Sequence, residues 1–166
     1  MSTSSVSWLR KNRAEKYLKA AFDFCLRQVG NHYMISKFDS KTRIASASPF
    51  LKAVDPLTYT DYNSIIAKPM DFAKMSKLLT AGKYGLSDTP ELTDAVLSFL
   101  ADVDLIRDNC YTYNTGEQSN DVRAMADATR EYFRYLLRVF LRVVKGLADP
   151  PLQTLILGRD SYAYIY

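Results

Sequence analysis

Apolar residues recur at helical spacing in four separate stretches of this chain of 166 residues, and this pattern limits the possible folds more than any other feature. The first stretch starts near Trp8 and meets a C-terminal stop signal at Gly30 and Asn31. Its apolar residues lie in adjacent pairs four residues apart, namely Tyr17, Leu18, Ala21, Phe22, Cys25, Leu26 and Val29. The spacing predicts one long amphipathic helix.

Three further helices are predicted after a long interval. Asp71 can cap a second, short helix that ends near Gly82. A cap and an early proline at residues 88–91 open a third helix, which runs into Asn109. A polar break at residues 114–120 precedes the fourth, with the predicted inward residues Val122, Met125, Thr129, Tyr132, Phe133, Leu136, Leu137, Phe140 and Val144. Without a convincing strand pattern, the four helices predict an all-α bundle.

The stretch between the first and second helices, at about residues 36–68, follows neither a helical nor a strand period. It contains Pro49 and Pro56, yet it also holds many apolar side chains: Phe50, Leu51, Val54, Leu57, Tyr59, Tyr62, Ile65 and Ile66. A loop of this length inside a compact domain is usually functional, and one this apolar must pack against something. We therefore expect this loop to contribute to the functional site.

Composition excludes several classes of protein. Residues 1–13 become basic where a secretory signal would need an apolar run, and no stretch of eighteen apolar residues occurs, so we expect neither export nor membrane insertion. Cys25, Cys110 and the single histidine, His32, provide neither a disulfide framework nor a zinc cluster, and we expect no metal. The net charge of +4 is too small by itself to indicate a nucleic-acid partner.

Four short segments carry a more specific signal because of their order. They are Ser48-Pro49-Phe50, Tyr62 eight residues before Met70, Lys68-Pro69-Met70-Asp71-Phe72, and Asn109-Cys110-Tyr111-Thr112-Tyr113-Asn114. Each segment is weak alone, but together, and separated by helices of these lengths, they resemble the bromodomain family over roughly residues 8–145. The resemblance implies a left-handed four-helix bundle with a long loop between helices one and two. It also implies a non-catalytic module that binds acetylated lysine and needs no cofactor.

The chemistry of acetyl-lysine explains these residue types. Acetylation converts an ammonium group into a neutral amide, so a binding pocket needs apolar walls and a hydrogen-bond donor. The resemblance assigns that donor to the side-chain NH₂ of Asn114, and it implies that the Tyr62 hydroxyl reaches the same carbonyl through a water. A buried carbonyl left unpaired costs roughly 1 to 3 kcal/mol. An unmodified lysine would have to lose its hydration in the same apolar slot.

The walls of the pocket are assigned by the same resemblance. The implied wall residues are Pro49 and Phe50 on the shelf, Val54, Leu57 and Tyr59 on the long loop, Cys110 and Tyr113 beside the asparagine, and Val122 as the gatekeeper that starts the last helix. The chain departs from the family pattern twice. Ser48 stands where the shelf often has tryptophan, and the polar break before Val122 is longer than usual.

These residues predict a domain at 1–147, followed by an extension at 148–166 of unassigned structure. The expected partner is an acetylated histone tail or another acetylated protein, bound in the nucleus by a monomer. Acidic residues at the loop end would favour basic peptides. They are Asp55, Asp61, Glu117 and Asp121.

Alternative interpretations remain open from the sequence. Asn114 could simply terminate a helix, Tyr62 could be an ordinary loop tyrosine, and Cys110 is a wall residue more readily than a nucleophile. The chain could be a degenerate bromodomain that acts as an acetylation-independent scaffold. It could also be a helical nucleic-acid-binding module that contacts DNA weakly through a basic stripe at Arg130, Arg134, Arg138 and Arg142. An enzyme is the least favoured class, because neither a nucleophile-base set nor paired carboxylates can be identified.

Overall fold

The computed structural model describes residues 3–35, 41–86 and 92–143. Five α-helices are present in these ranges: α1 (Thr3–Gln28), α2 (Tyr62–Ile65), α3 (Phe72–Thr80), α4 (Leu92–Tyr113) and α5 (Asn120–Val143). Four of them form the bundle, and α2 is a single turn within the long loop. The all-α four-helix prediction is therefore confirmed. The predicted cap at residues 88–91 and the extension at residues 148–166 lie outside the described residues.

A small β-hairpin follows α1, and here the expectation of no strand was wrong. Strands β1 (Tyr33–Ile35) and β2 (Arg43–Ala45) pair antiparallel, with Met34 opposite Ile44. Three residues are too few to display the alternation by which a strand is recognised in a sequence. The hairpin leads directly into a 3₁₀ turn, Ser48–Phe50, which begins the loop that the sequence marked as functional.

Local signals define the ends of the helices. The Asp71 carboxylate accepts a hydrogen bond from the Lys74 backbone N–H at 2.8 Å, which confirms the predicted cap of α3. Gly82 has a φ of +69°, a conformation that glycine adopts without steric cost, so the chain can turn away after α3. Helix α4 continues past Asn109 to Tyr113, which brings Asn114 to its C-terminal end.

An aromatic side chain from each bundle helix meets in the core. Phe22 of α1 stacks on Phe99 of α4 with ring centroids 3.8 Å apart. Phe99 contacts Phe133 of α5 at 5.5 Å, and Phe133 stacks on Phe72 of α3 at 5.7 Å. All four are buried, with Phe22, Phe99 and Phe133 fully so. These four rings connect the helices and hold the two ends of the long loop at one end of the bundle.

Ion pairs and hydrogen bonds also join α4 to α5. The Arg107 guanidinium donates to Asp127 at 2.8 Å, and the Tyr111 hydroxyl donates to the other oxygen of the same carboxylate at 2.6 Å. The contacts bring the C-terminal half of α4 against the start of α5, where the candidate site lies. In the ranges described above, no helix is both long and apolar enough to cross a bilayer.

Candidate functional site

A cavity of about 430 Å³ opens between the long loop and the adjoining ends of α4 and α5. Nine of the ten predicted site residues line it: Asn114, Tyr62, Pro49, Phe50, Val54, Tyr59, Cys110, Tyr113 and Val122. They come from four separate parts of the chain, namely the 3₁₀ turn, the loop with α2, the end of α4 and the first turn of α5. The fold therefore brings together residues that are up to 73 positions apart, from Pro49 to Val122.

Asn114 follows the last residue of α4 and is held from several sides. Its backbone N–H donates to the Cys110 carbonyl at 2.9 Å, and its side-chain nitrogen donates to the same oxygen at 2.9 Å. The guanidinium of Arg123 in α5 donates to the Asn114 carbonyl. The same nitrogen lies 3.7 Å from the Cys110 sulfur, a longer and weaker contact. An amide nitrogen carries two hydrogens, so a ligand carbonyl in the cavity could take the second one in place of the sulfur. Asn114 is thus a helix terminator and a candidate donor at the same time.

Three tyrosines form one wall of the cavity. Tyr113 lies in the middle, with its ring 5.0 Å from that of Tyr62 and 6.2 Å from that of Tyr59, both in edge-to-face arrangements. Tyr62 is 8% exposed, and burial raises the pKa of its hydroxyl, so the group stays protonated near neutral pH. The Tyr113 hydroxyl donates to Asp61 at 2.7 Å and so ties the loop to the end of α4.

Leu57 is the predicted wall residue that the structure does not bring to the cavity. It is 88% exposed and absent from the lining. The cause is a turn built by Asp55, whose carboxylate accepts from the Leu57 backbone N–H at 3.0 Å and from the Thr58 hydroxyl at 2.6 Å. The turn holds Leu57 in an exposed position, whereas Val54 and Tyr59, on either side, line the cavity.

The prediction did not include several residues that belong to the site. Ser48, Leu51, Lys52, Ala53, Asp55, Met70 and Ile106 also line the cavity. Asn109 has a supporting role, since its buried side chain donates to the Lys68 carbonyl at 2.8 Å and attaches the loop before α3 to α4. Met70 and Asn109 lie inside segments that the sequence singled out, so the signal was present. For Lys52 and Ala53, only their position after the shelf could have indicated a role.

The electrostatics of the cavity do not favour a nucleophile. Burial raises the pKa of the Cys110 thiol, so the thiol stays protonated and is a poor nucleophile. It donates a hydrogen bond to the Val122 carbonyl at 3.6 Å, as a neutral wall residue can. At the mouth, hydrogen bonds from Thr58 and Leu57 lower the pKa of Asp55, which is therefore ionised at neutral pH. Among residues with a described position, no group of three or more histidine, cysteine or acidic side chains could hold a metal ion.

Two of the four arginines in the basic stripe on α5, Arg130 and Arg134, are engaged within the protein. Arg130 and Arg134 both pair with Asp104 of α4, at 2.6 and 2.8 Å, and Arg130 also pairs with Glu131 at 2.9 Å. Glu131 thus offsets part of the positive charge of the stripe, whereas Asp127 pairs with Arg107 of α4. Two of the stripe's arginines thus serve the α4–α5 contact, which gives no support to a DNA contact.

Comparison with known proteins decides the family. A sequence model described as Bromodomain matches residues 33–128, more than half of the chain. The chain belongs to the bromodomain family. The match begins at the β-hairpin and extends into α5, so it includes the whole long loop and every residue that lines the cavity. Membership of this family supports the prediction of a binding module rather than an enzyme.

Individual bromodomain proteins resemble the same part of the chain. Human "Bromodomain adjacent to zinc finger domain protein 2A" is 35% identical over 53% of this chain and 4% of its own length. The "SWR1 complex bromodomain subunit bdf1" of Schizosaccharomyces pombe is 31% identical over 58% of this chain and 15% of its length. Drosophila melanogaster "Nucleosome-remodeling factor subunit NURF301" is 33% identical over 57% and 3%. The chain thus spans only a small part of these relatives.

A solved structure confirms the fold. The bromodomain of human BAZ1A superposes with a TM-score of 0.54, covering 72% of this chain and 91% of that one. The two sequences are 21% identical, so this likeness concerns the architecture alone.

Proposed function

We propose that this bromodomain is a non-catalytic reader that binds acetylated lysine on histone tails and thereby acts in recruitment to chromatin in the nucleus. The observation that carries the proposal is the cavity at the loop end, where Asn114 lies among apolar and aromatic walls. Its second amide hydrogen, which has only the long contact to the Cys110 sulfur, can turn to the acetyl carbonyl, and Tyr62 lines the same cavity with a protonated hydroxyl. The domain is taken to extend over residues 1–147, and no cofactor is needed because the activity is binding alone.

The relatives support the chromatin setting. Two of them are described as subunits of the SWR1 complex and of a nucleosome-remodeling factor. Histone tails are rich in basic residues around their lysines, and the mouth of this cavity carries the ionised Asp55. The Asp61 carboxylate accepts a hydrogen bond from Tyr113, which lines the cavity, and therefore lies beside the mouth as well. We therefore expect acetylated peptides with basic flanks to bind more tightly than acidic ones, and equal binding of the two would contradict this preference.

Calorimetric titration with a panel of histone-tail peptides tests the proposal. The wild-type protein is expected to bind selected acetylated peptides and not their unmodified forms. Asn114→Ala should weaken binding by about tenfold or more, since it leaves a buried carbonyl unpaired at roughly 1 to 3 kcal/mol. The matched control is Asn31→Ala, an exposed asparagine in the turn after α1.

The alternative of an acetylation-independent scaffold is a distinct outcome of the same titration. It rests on Ser48, which is exposed at the edge of the cavity and provides little apolar surface. Equal binding of acetylated and unmodified peptides that also survives Asn114→Ala would favour the scaffold. A folded protein that binds none of the peptides would contradict histone reading.

A further inference from the structure

A polar break separates α4 from α5, and one side chain spans it. The break begins at Asn114, includes a 3₁₀ turn at Glu117–Ser119, and ends at Asn120, the first residue of α5. Arg123, one turn into α5, donates one guanidinium nitrogen to the Asn114 carbonyl and the other to the Asn120 side-chain oxygen. A single guanidinium therefore joins the first residue of the break to the last.

We propose that Arg123 is a positioning residue for the acetyl-lysine site and that its bridge across the break holds Asn114 in the binding orientation. This inference rests on the proposed function of the cavity. Arg123 does not line the cavity, and it acts through the residues that do. A flexible connection loses conformational entropy when it is ordered, so a fixed contact across the break is needed to offset that cost.

The geometry around Arg123 supports this role. The guanidinium is charged and presents its donors in a rigid planar arrangement, which suits two separate oxygens better than a lysine ammonium would. The residue before it, Val122, lines the cavity and accepts the Cys110 thiol hydrogen bond at 3.6 Å. Arg123 thus directly follows Val122, the predicted gatekeeper, and donates a hydrogen bond to Asn114, the candidate donor. The loss of Arg123 would therefore affect both sides of the cavity.

Arg107 provides a matched control. Both arginines lie near the Tyr111 ring, Arg107 at 4.0 Å and Arg123 at 5.9 Å from its centroid. Arg107 pairs with Asp127 and so also contributes to the α4–α5 contact. Its hydrogen bonds go to Asp127 and Asp108, neither of which belongs to the break. A variant at Arg107 therefore tests the cost of weakening the helix pair without releasing Asn114.

The experiment compares Arg123→Gln, Arg123→Lys and Arg107→Gln with the wild-type protein in two measurements. The first is hydrogen exchange of the backbone amides at residues 115–120 without peptide. The second is the Kd for the histone-tail peptide that the wild type binds best. We expect Arg123→Gln to speed exchange in the break and to raise the Kd roughly five- to tenfold, in proportion to the lost binding-competent fraction. Arg123→Lys should recover only part of this, because one ammonium cannot reproduce the two-point bridge.

Arg107→Gln is expected to lower Tm while leaving both the exchange and the Kd close to wild type. Unchanged exchange in Arg123→Gln would overturn the inference, as would equal weakening of binding by Arg107→Gln. Full recovery by Arg123→Lys would also overturn it, because charge alone would then explain the effect. If the wild type binds no acetylated peptide, the proposed function fails, whereas the exchange comparison still decides whether Arg123 holds the break.

Discussion

At the residue scale, Asn114 combines a structural role with a position that suits binding. Its backbone and side chain both donate to the Cys110 carbonyl, which ends α4, and the side-chain nitrogen has a second, longer contact of 3.7 Å to the Cys110 sulfur that a ligand carbonyl could replace. The interpretation of Asn114 as a helix terminator is therefore compatible with the interpretation as a binding residue. The same is true of Tyr62, whose ring packs against Tyr113 while its hydroxyl remains available in the cavity wall.

Tyr62→Phe tests the hydroxyl separately from the ring. The ring contact with Tyr113 should persist, so Tm should change little, while acetylated-peptide affinity should fall by roughly threefold to tenfold for a lost bond of about 0.5 to 1.5 kcal/mol. Calorimetry measures the affinity, and Tyr33→Phe, on the exposed hairpin, is the control. An affinity equal to wild type would remove Tyr62 from the binding site.

Leu57 and Val54 were both predicted to line the cavity, but only Val54 does so. Val54 lines the cavity, whereas Leu57 is turned outward by the Asp55 turn. We expect Val54→Ala to weaken binding of an acetylated peptide by up to about tenfold, because it removes two methyl groups from the wall, each contributing at most about 0.8 kcal/mol when fully buried. Leu57→Ala should change the Kd by less than about twofold, in keeping with surface substitutions of within about 0.5 kcal/mol. The reverse order of effects would show that the loop closes differently over the peptide.

At the element scale, the helices hold the site in place through their aromatic core. Phe99 is fully buried between Phe22 of α1 and Phe133 of α5. Phe99→Ala should lower the free energy of unfolding by about 3 to 5 kcal/mol through lost burial and a residual cavity. Urea denaturation gives the value. Leu97→Ala on the same helix, 43% exposed, should change it by much less, and a comparable loss there would argue against the packing described.

His32 connects the hairpin to α5. Its Nδ1 is 2.8 Å from the Ser46 hydroxyl oxygen, and its ring stacks on Tyr132 at 4.6 Å. Burial lowers the pKa of His32 in the folded protein, so the unfolded chain takes up a proton first as the pH falls. Stability is therefore expected to decrease as the pH falls below the ordinary histidine value of 6.5 towards the lower folded pKa.

Urea denaturation at several values between pH 5.5 and 7.5, roughly one unit either side of an ordinary histidine pKa, measures this dependence. His32→Gln should flatten the profile, since the chain has a single histidine. An unchanged slope in the variant would exclude His32 as its source. A stability that rises on acidification in the wild type would contradict the direction of the pKa shift.

At the scale of the whole molecule, the sequence was sufficient for the architecture because each bundle helix carries its own pattern. Nine of the ten predicted site residues line the cavity, since the resemblance that assigned them rests on the order of motifs that converge at one end of the bundle. Leu57 was misplaced because apolarity does not reveal the direction of a side chain in a loop; the Asx turn at Asp55 decides it. The hairpin was missed because its strands have only three residues each.

Long-range pairing was likewise beyond the sequence. The partners of Asp104 and Asp127 lie on the neighbouring helix and depend on how α4 and α5 are rotated against each other. The bridge made by Arg123 depends on the path of the break, which neither composition nor spacing determines. These contacts determine how α4 and α5 meet beside the cavity, and they pair two arginines of the basic stripe, Arg130 and Arg134, within the fold.

The most direct test of the central claim is an NMR titration of ¹⁵N-labelled protein with a histone-tail peptide in acetylated and unmodified forms. We expect the acetylated peptide to shift the Asn114 side-chain NH₂ signals, along with the amides of Val54, Tyr62 and Val122. The unmodified peptide should leave these signals in place. Shifts confined to other surfaces, or equal shifts with both peptides, would contradict acetyl-lysine binding in this cavity.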